Sequence, residues 1–356
     1  MGNAGGLEMT EGVASVGWNV AWSWKSQDRI AGLCHVGDGV AVASGLEVLM
    51  INSDGYPSWR TSLPFRTFNM AHAEGMLGVL AGHGFHVLHL SDGTVLHEGR
   101  ATSGGFSDLL PRPGGGWVLS DRKEHLHLFN QQGRGIRRLK CGGVRKLLGW
   151  FDREHLLIHD SEGFIRCIRM IGEDTQRVIE DRGWSWCSRL EEGQLLMQAV
   201  DGEIWEGIPH PFGWDVIQRI ETLGLEPVNG TMASDGWWLL SLNGDLERLP
   251  PLEEPKRMDG GDLLTGDGIS TLVSCTREGL LRWWEAPELA SRRRRRIQSE
   301  VAQAREDLDW ENRKSVFIAA RDAEENGQLS KAAELYQKLG RTDDVRRILK
   351  MKREEA

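Results

Sequence analysis

Tyrosine is nearly absent from this chain: 2 Tyr stand beside 15 Trp in 356 residues. Paired cysteines are missing as well. The 5 Cys (Cys34, Cys141, Cys167, Cys187 and Cys275) are odd in number, scattered, and never spaced C-x-x-C. That excludes a disulfide framework and reads as reduced core thiols of a cytoplasmic protein. No apolar run approaches the ~20 residues a membrane-crossing helix needs. The opening MGNAGGLEMTEG has neither a basic nor an apolar leader region, so no secretory signal is expected. Gly6 stands where a myristoylation motif wants Ser or Thr. Excess positive charge is lacking too, with 43 Lys/Arg against 52 Asp/Glu. Of these, 17 basic and 14 acidic residues follow Pro287, leaving 26 against 38 before it. An acidic body of that kind lacks the basic surface that phosphate binding requires.

Catalytic and metal signatures are also scarce. His83, His86 and His89 recur every third position, which on a strand sends neighbours to opposite faces. His125 and His127 do share a face, but a zinc site needs three or four converging ligands. Ser53-Asp54-Gly55 with Trp59 has the residue types of a sialidase Asp-box at the wrong spacing and reads as a hairpin turn. Gly114-Gly115-Gly116 leads into a strand with no following Lys and helix, so it cradles no phosphate. The sequence therefore assigns no catalytic residue, no cofactor and no metal.

What is present is repetition. Near residues 38, 75, 115, 153, 193, 236 and 268 a turn opens a short apolar strand, then a polar turn and a second strand follow. DGVAVASGLEVLMINSDGYPSWR and EGMLGVLAGHGFHVLHLSDGTVLHEG are the clearest units. A period of roughly 40 residues with four strands per unit predicts a β-propeller, seven-bladed by this count. Pro250-Pro251 in the sixth unit and the shortness of the seventh leave six or eight blades open. The last unit has no outer strand of its own. Trp18–Lys25 (WNVAWSWK) alternates like a strand and has no unit of its own, so it is expected to close the ring. Trp18, Trp22 and Trp24 then share one face, and the doublets Trp237-Trp238 and Trp283-Trp284 put one ring on each face.

From about Ala286 the composition turns helical. Ile297, Val301, Ala304 and Leu308 recur at steps of four, three and four, one stripe of a helix. Trp310–Lys352 then reads as three short helices, with Gly327 and Gly340 at helix ends. The expected organisation is a flexible N-terminus at 1–13, a mainly β propeller at 14–287, a basic-to-acidic linker helix at 288–310 and a helical hairpin with its tail at 311–356.

The strand, Asp/Gly turn and strand pattern of GLEVLMINSDGYPSW and GFHVLHLSDGTVLHEG resembles pyrroloquinoline-quinone-type and WD-repeat propeller blades. No unit carries the Gly-His and Trp-Asp pair of a well-formed WD repeat. Quinoprotein dehydrogenases, similar in blade pattern, hold their cofactor with an acidic and amide metal-binding set, and this chain lacks the adjacent Cys-Cys pair. AARDAEENGQLSKAAELYQKLGRTDDVRRIL is similar to one tetratricopeptide-like hairpin, with Ala319, Ala320, Gly327, Ala332, Ala333 and Tyr336 at its packing positions.

These resemblances imply a non-catalytic scaffold whose partner is another protein. The run Arg292, Arg293, Arg294, Arg295 and Arg296, together with Trp310, Phe317 and Tyr336, supplies the candidate interaction residues. Five neighbouring arginines spread around a helix that turns about 100° per residue, which suits a solvated face more than a phosphate stripe. Two alternatives stay open: an enzyme or small-molecule sensor using the central channel, and nucleic-acid association through the arginine run.

Overall fold

The structure, a computed structural model, describes residues 17–99, 104–170, 176–179, 182–220, 224–249 and 258–354. The flexible N-terminus expected at 1–13 and Pro250-Pro251 lie outside the described residues. Contacts divide the chain into two units, Met1–Pro287 and Glu288–Ala356.

The first unit is a ring of seven four-stranded antiparallel sheets. Blade 1 runs outward through Ile30–Val36, Gly39–Ser44, Glu47–Asn52 and Pro57–Ser62. Blades 2 to 6 start at Thr67, Phe106, Val144, Trp184 and Pro227 and repeat that order. Blade 7 has only Leu263–Gly266, Thr271–Cys275 and Leu280–Glu285 in sequence, and its outer strand is Asn19–Lys25. The expected closure is therefore present, with Asn19 opposite Glu285 and Lys25 opposite Leu280.

Packing explains why second strands such as Gly39–Ser44 are buried along their whole length. Side chains alternate between two faces, and each face meets a different neighbouring blade. The ring's core is therefore seven inter-blade clusters. The tryptophan doublets follow this rule. Trp237 joins the cluster shared with blade 5 and Trp238 the one shared with blade 7. Trp283 faces blade 1 and Trp284 faces blade 6.

Trp18 departs from expectation. A bulge between Val20 and Trp22 shifts the register of the closing strand, so Trp22 and Trp24 face blade 1 while Trp18 packs toward blade 6. Its ring lies 5.3 Å from that of Trp238, and its Nε1 donates to Asp235 at 3.0 Å. An extra residue breaks the two-residue alternation on which the sequence reading relied.

The second unit is helical: α1 (Pro287–Glu325), α2 (Leu329–Lys338) and α3 (Thr342–Glu354). The break expected near residue 310 does not occur. Between Pro287 and Gly327 the sequence holds no glycine and no further proline, so nothing stops the helix. The linker expected at 288–310 and the first of the three short helices are thus one continuous 39-residue helix. Gly327 and Gly340 both adopt φ of +70° at helix ends, as expected. Its small core gathers Ala320, Ala323, Ala332, Ala333, Tyr336 and Ile348.

Closure of the ring sets a stability test. Trp22 is 2 % exposed, stacks on Trp283 at 5.4 Å, and donates from Nε1 to the Ser53 carbonyl at 2.7 Å. Trp22→Ala is expected to lower unfolding free energy by about 3–5 kcal/mol in urea titrations. Trp310→Ala, on an exposed helix face, should change it by less than about 0.5 kcal/mol.

Candidate functional site

Six of the seven innermost strands share one irregularity. Register shifts fall between Ile30 and Gly32, Thr67 and Asn69, and Phe106 and Asp108. They recur between Val144 and Lys146, Trp184 and Trp186, and Pro227 and Asn229. Regular alternation would turn one of each consecutive pair away from the axis. The bulge re-aims it, so Ser107 with Asp108, and Arg145 with Lys146, both line the central channel. The cavity there measures about 650 Å³.

The second residue of four of these bulges hydrogen-bonds its blade to a neighbour. Asn69 Nδ2 donates to Asp108 Oδ1 at 2.8 Å, and the Leu147 N–H donates to Asp108 Oδ2 at 2.8 Å. Lys146 Nζ donates to the Cys187 carbonyl at 2.9 Å and lies 5.6 Å from the Trp186 ring centre. Asn229 Nδ2 donates to the Leu264 carbonyl at 2.9 Å. Arg189 reaches further. It passes blade 4 and donates from Nη2 to Asp108 Oδ1 at 2.9 Å and from Nη1 to the Leu109 carbonyl at 3.2 Å. Glu191 accepts from Thr231 Oγ1 at 3.0 Å and from the Met232 N–H.

The charges are matched unevenly. Asp108 is taken by Arg189, whereas among the described residues Arg145 rests on the carbonyls of Ser185 and Ser161, at 3.2 and 3.4 Å. Neither Arg145 nor Lys146 forms an ion pair with a carboxylate among the described residues. Burial, with the nearby Arg189 charge, pulls Lys146 down to about 8, although Asp108 opposes the shift. Burial also raises Glu191 above the usual carboxylate range. It lowers His35, His72 and His159, which keeps those rings neutral at pH 7. The channel thiols Cys34 and Cys187 are pushed up to about 12 by burial, the opposite of an activated nucleophile. The arrangement can hold an anion, and it presents no prepared thiolate.

The sequence reading assigned none of these residues, because Asp108 and Arg189 stand 81 positions apart. One signal was available: Gly32, Asn69, Asp108, Lys146, Trp186 and Asn229 occupy the same station in successive units. A second cleft of about 740 Å³ near Glu206 and Gln218 is less promising. Its Glu206 already accepts from Trp237 Nε1 at 2.8 Å and from Gln218 at 3.0 Å.

Histidines expected to share a face do so. His125 and His127 rings lie 6.3 Å apart, and both approach Asp121, at 3.5 and 2.8 Å. Asp121 is nevertheless held below its usual range: burial pushes it up, and its bonds to His127, His125 and Lys123 outweigh that. Among the described residues no group of three His, Cys, Asp or Glu is placed to hold a metal, and no helix is long and apolar enough to cross a membrane.

The helical unit separates the remaining candidates. Arg292 and Arg294–Arg296 are exposed and Arg293 is half-buried, with Arg296 3.7 Å from Glu300. Trp310 is 63 % exposed with the Lys314 ammonium 5.2 Å from its ring centre. Tyr336 does not belong to an exposed surface. It is buried in the helical core, 6.2 Å from Phe317, and its Oη donates to Glu324 at 3.0 Å. Phe317 is half-buried there under the Arg341 guanidinium at 4.8 Å. Small alanines on facing helices leave room for both rings, which is why they turn inward.

The altered Lys146 yields a pH signature. Its folded value lies below its unfolded one, so between about 8 and the ordinary lysine value the unfolded chain binds more protons and stability rises with pH. Lys146→Met removes this contribution. Denaturant midpoints measured from pH 7 upward should therefore shift in favour of the native protein relative to the variant across that window. A constant difference would contradict the assignment.

No protein-family model matches the chain, and no curated protein matches it. Solved structures do match, 1444 chains in all, as expected of an architecture shared by many unrelated functions. Among them is the crystal structure of BamB from Moraxella catarrhalis. It is 13 % identical, with a TM-score of 0.52, over 75 % of this chain and 88 % of that one. At that identity the likeness establishes the propeller fold and nothing of the function.

Proposed function

We propose that the protein is a non-catalytic scaffold for protein–protein interaction, with the propeller as rigid platform and the helical unit as docking element. One observation carries this reading. Every residue of α1 from Arg294 to Ser315 is exposed, including Ile297 at 40 %, Val301 at 47 % and Leu308 at 59 %. Helices draw most of their stability from packing an apolar face, and a lone helix of this kind is marginal in water. Exposed pairs such as Arg296–Glu300 add only about 0.3–0.5 kcal/mol each. The stripe's steps of four, three and four suit the seam of a two-helix contact. Packing of Ala320, Ala332, Ala333 and Tyr336 supports reading α1 to α3 as tetratricopeptide-like. Five buried, unpaired cysteines support a cytoplasmic location.

The test is affinity purification from nuclease-treated native lysate, comparing the full chain with Ile297→Asp/Val301→Asp/Leu308→Asp. A specific protein is expected to co-purify with the native chain and to be lost from the variant, while the variant's thermal unfolding stays unchanged. A variant that retains the same partner removes the docking role. A partner recovered from a parallel untreated lysate but not from the nuclease-treated one would instead favour nucleic acid bound through Arg292–Arg296.

A second reading, a small-molecule sensor, has in its favour Arg145 and Lys146 of the channel, which meet carbonyls but no carboxylate among the described residues. It expects phosphate or a dicarboxylate to raise the melting temperature of the native protein above an ionic-strength-matched chloride control. It expects no such rise in Arg145→Gln/Lys146→Met.

A further inference from the structure

The face of the ring that carries the turns between second and third strands has a cleft of about 550 Å³ at blades 1 to 3. Arg29, Arg66, Arg122 and His83 line it. Arg29 and Arg66 occupy one station, the residue before the innermost strand of blades 1 and 2. The same station in the other blades holds Gly105, Gly143, Gly183, Glu226 and Asp262. Arg122 and His83 come from the turns between second and third strands of blades 3 and 2.

All four side chains are exposed, and among the described residues none of the three guanidiniums has an ion-pair or hydrogen-bond partner. Asp28 also lines the cleft and pairs with none of them. The backbone beneath is fixed: the Gly82 N–H donates to the Arg66 carbonyl at 2.9 Å, and the Thr67 N–H to the Gly45 carbonyl at 3.1 Å. Gly82, at φ +57°, packs directly against the Phe65 ring. Phe65 and Leu46, on the same face of blade 1, are 58 % and 50 % exposed.

We infer that this cleft docks an acidic peptide segment of a partner protein, its carboxylates on Arg29, Arg66 and Arg122 and an apolar residue on Phe65 and Leu46. The inference stands on the propeller and does not need the α1 stripe. Guanidinium forks match carboxylates in pairs of hydrogen bonds. Interactions fade beyond a screening length of about 8–10 Å in physiological salt. A short acidic segment therefore senses this local positive patch, whereas a long polyphosphate also meets the acidic remainder, where 26 basic residues face 38 acidic ones before Glu288.

Fluorescence anisotropy with a short fluorescein-labelled peptide of Glu, Asp and one Leu tests it on the full chain. Arg29→Gln/Arg66→Gln/Arg122→Gln is expected to weaken binding about tenfold or more, with a larger loss at low salt. Replacing Arg292–Arg296 by Gln should leave the affinity unchanged. Arg66→Glu alone should reverse the preference toward a Lys-containing peptide, a readout that misfolding would not produce. Equal affinity of the triple variant, or loss confined to the Arg292–Arg296 variant, overturns the cleft and leaves the α1 docking reading untouched. Displacement of the peptide by an oligonucleotide of equal charge, bound more tightly through the same arginines, overturns the choice of partner.

Discussion

Ring closure is the constraint on which the propeller depends. A blade cannot bury both of its faces alone, and each of the seven cores is shared between two blades. An open ring would expose the faces and edges of its terminal blades. The chain solves this by giving its first described strand, Asn19–Lys25, to its last blade, opposite Leu280–Glu285. Trp22 fixes the junction from both sides, stacked on Trp283 and resting on Gly55, whose φ is +87° and where an added Cβ would lie only 3.1 Å from the indole ring.

Closure leaves an axis, and the bulges decide what lines it. By breaking alternation at the same place in six strands, they bring two consecutive residues per strand toward the channel. Much of that polar set is spent on the structure itself. Asp108 accepts from Asn69, Leu147 and Arg189, and Glu191 from Thr231 and Met232. Buried charges persist only when paired and hydrogen-bonded, so this network ties blades 2 to 6 together in the one register that satisfies it. Arg145, exposed, and Lys146, half-buried, lie beside this network and meet carbonyls in place of carboxylates.

The helical unit is organised on the opposite principle. Its core is small and lies at the far end of α1 with α2 and α3, where alanines admit Tyr336 and Phe317. Glu324 holds that end, accepting from Tyr336 and from Arg347 at 2.9 Å. The earlier part of α1 has no such core. Its apolar residues recur at steps of four, three and four and are exposed.

The sequence by itself determined the architecture. Repeats of roughly 40 residues, the missing outer strand of the last unit, the orphan strand before the first and the opposed faces of Trp237-Trp238 and Trp283-Trp284 all depend on local periodicity. Such periodicity is written in consecutive residues. The tertiary structure decided what breaks it. Bulges moved Trp18 to the other face and turned Arg145 and Lys146 into the channel together. A helix with no internal Gly or Pro ran through the expected break near Trp310. Packing drew Tyr336 inward. The channel network and the arginine cleft were hidden for one physical reason. Asp108 with Arg189, and Arg29 with Arg66 and Arg122, become neighbours only when the ring closes and brings separate blades around one axis, and no local pattern encodes that proximity.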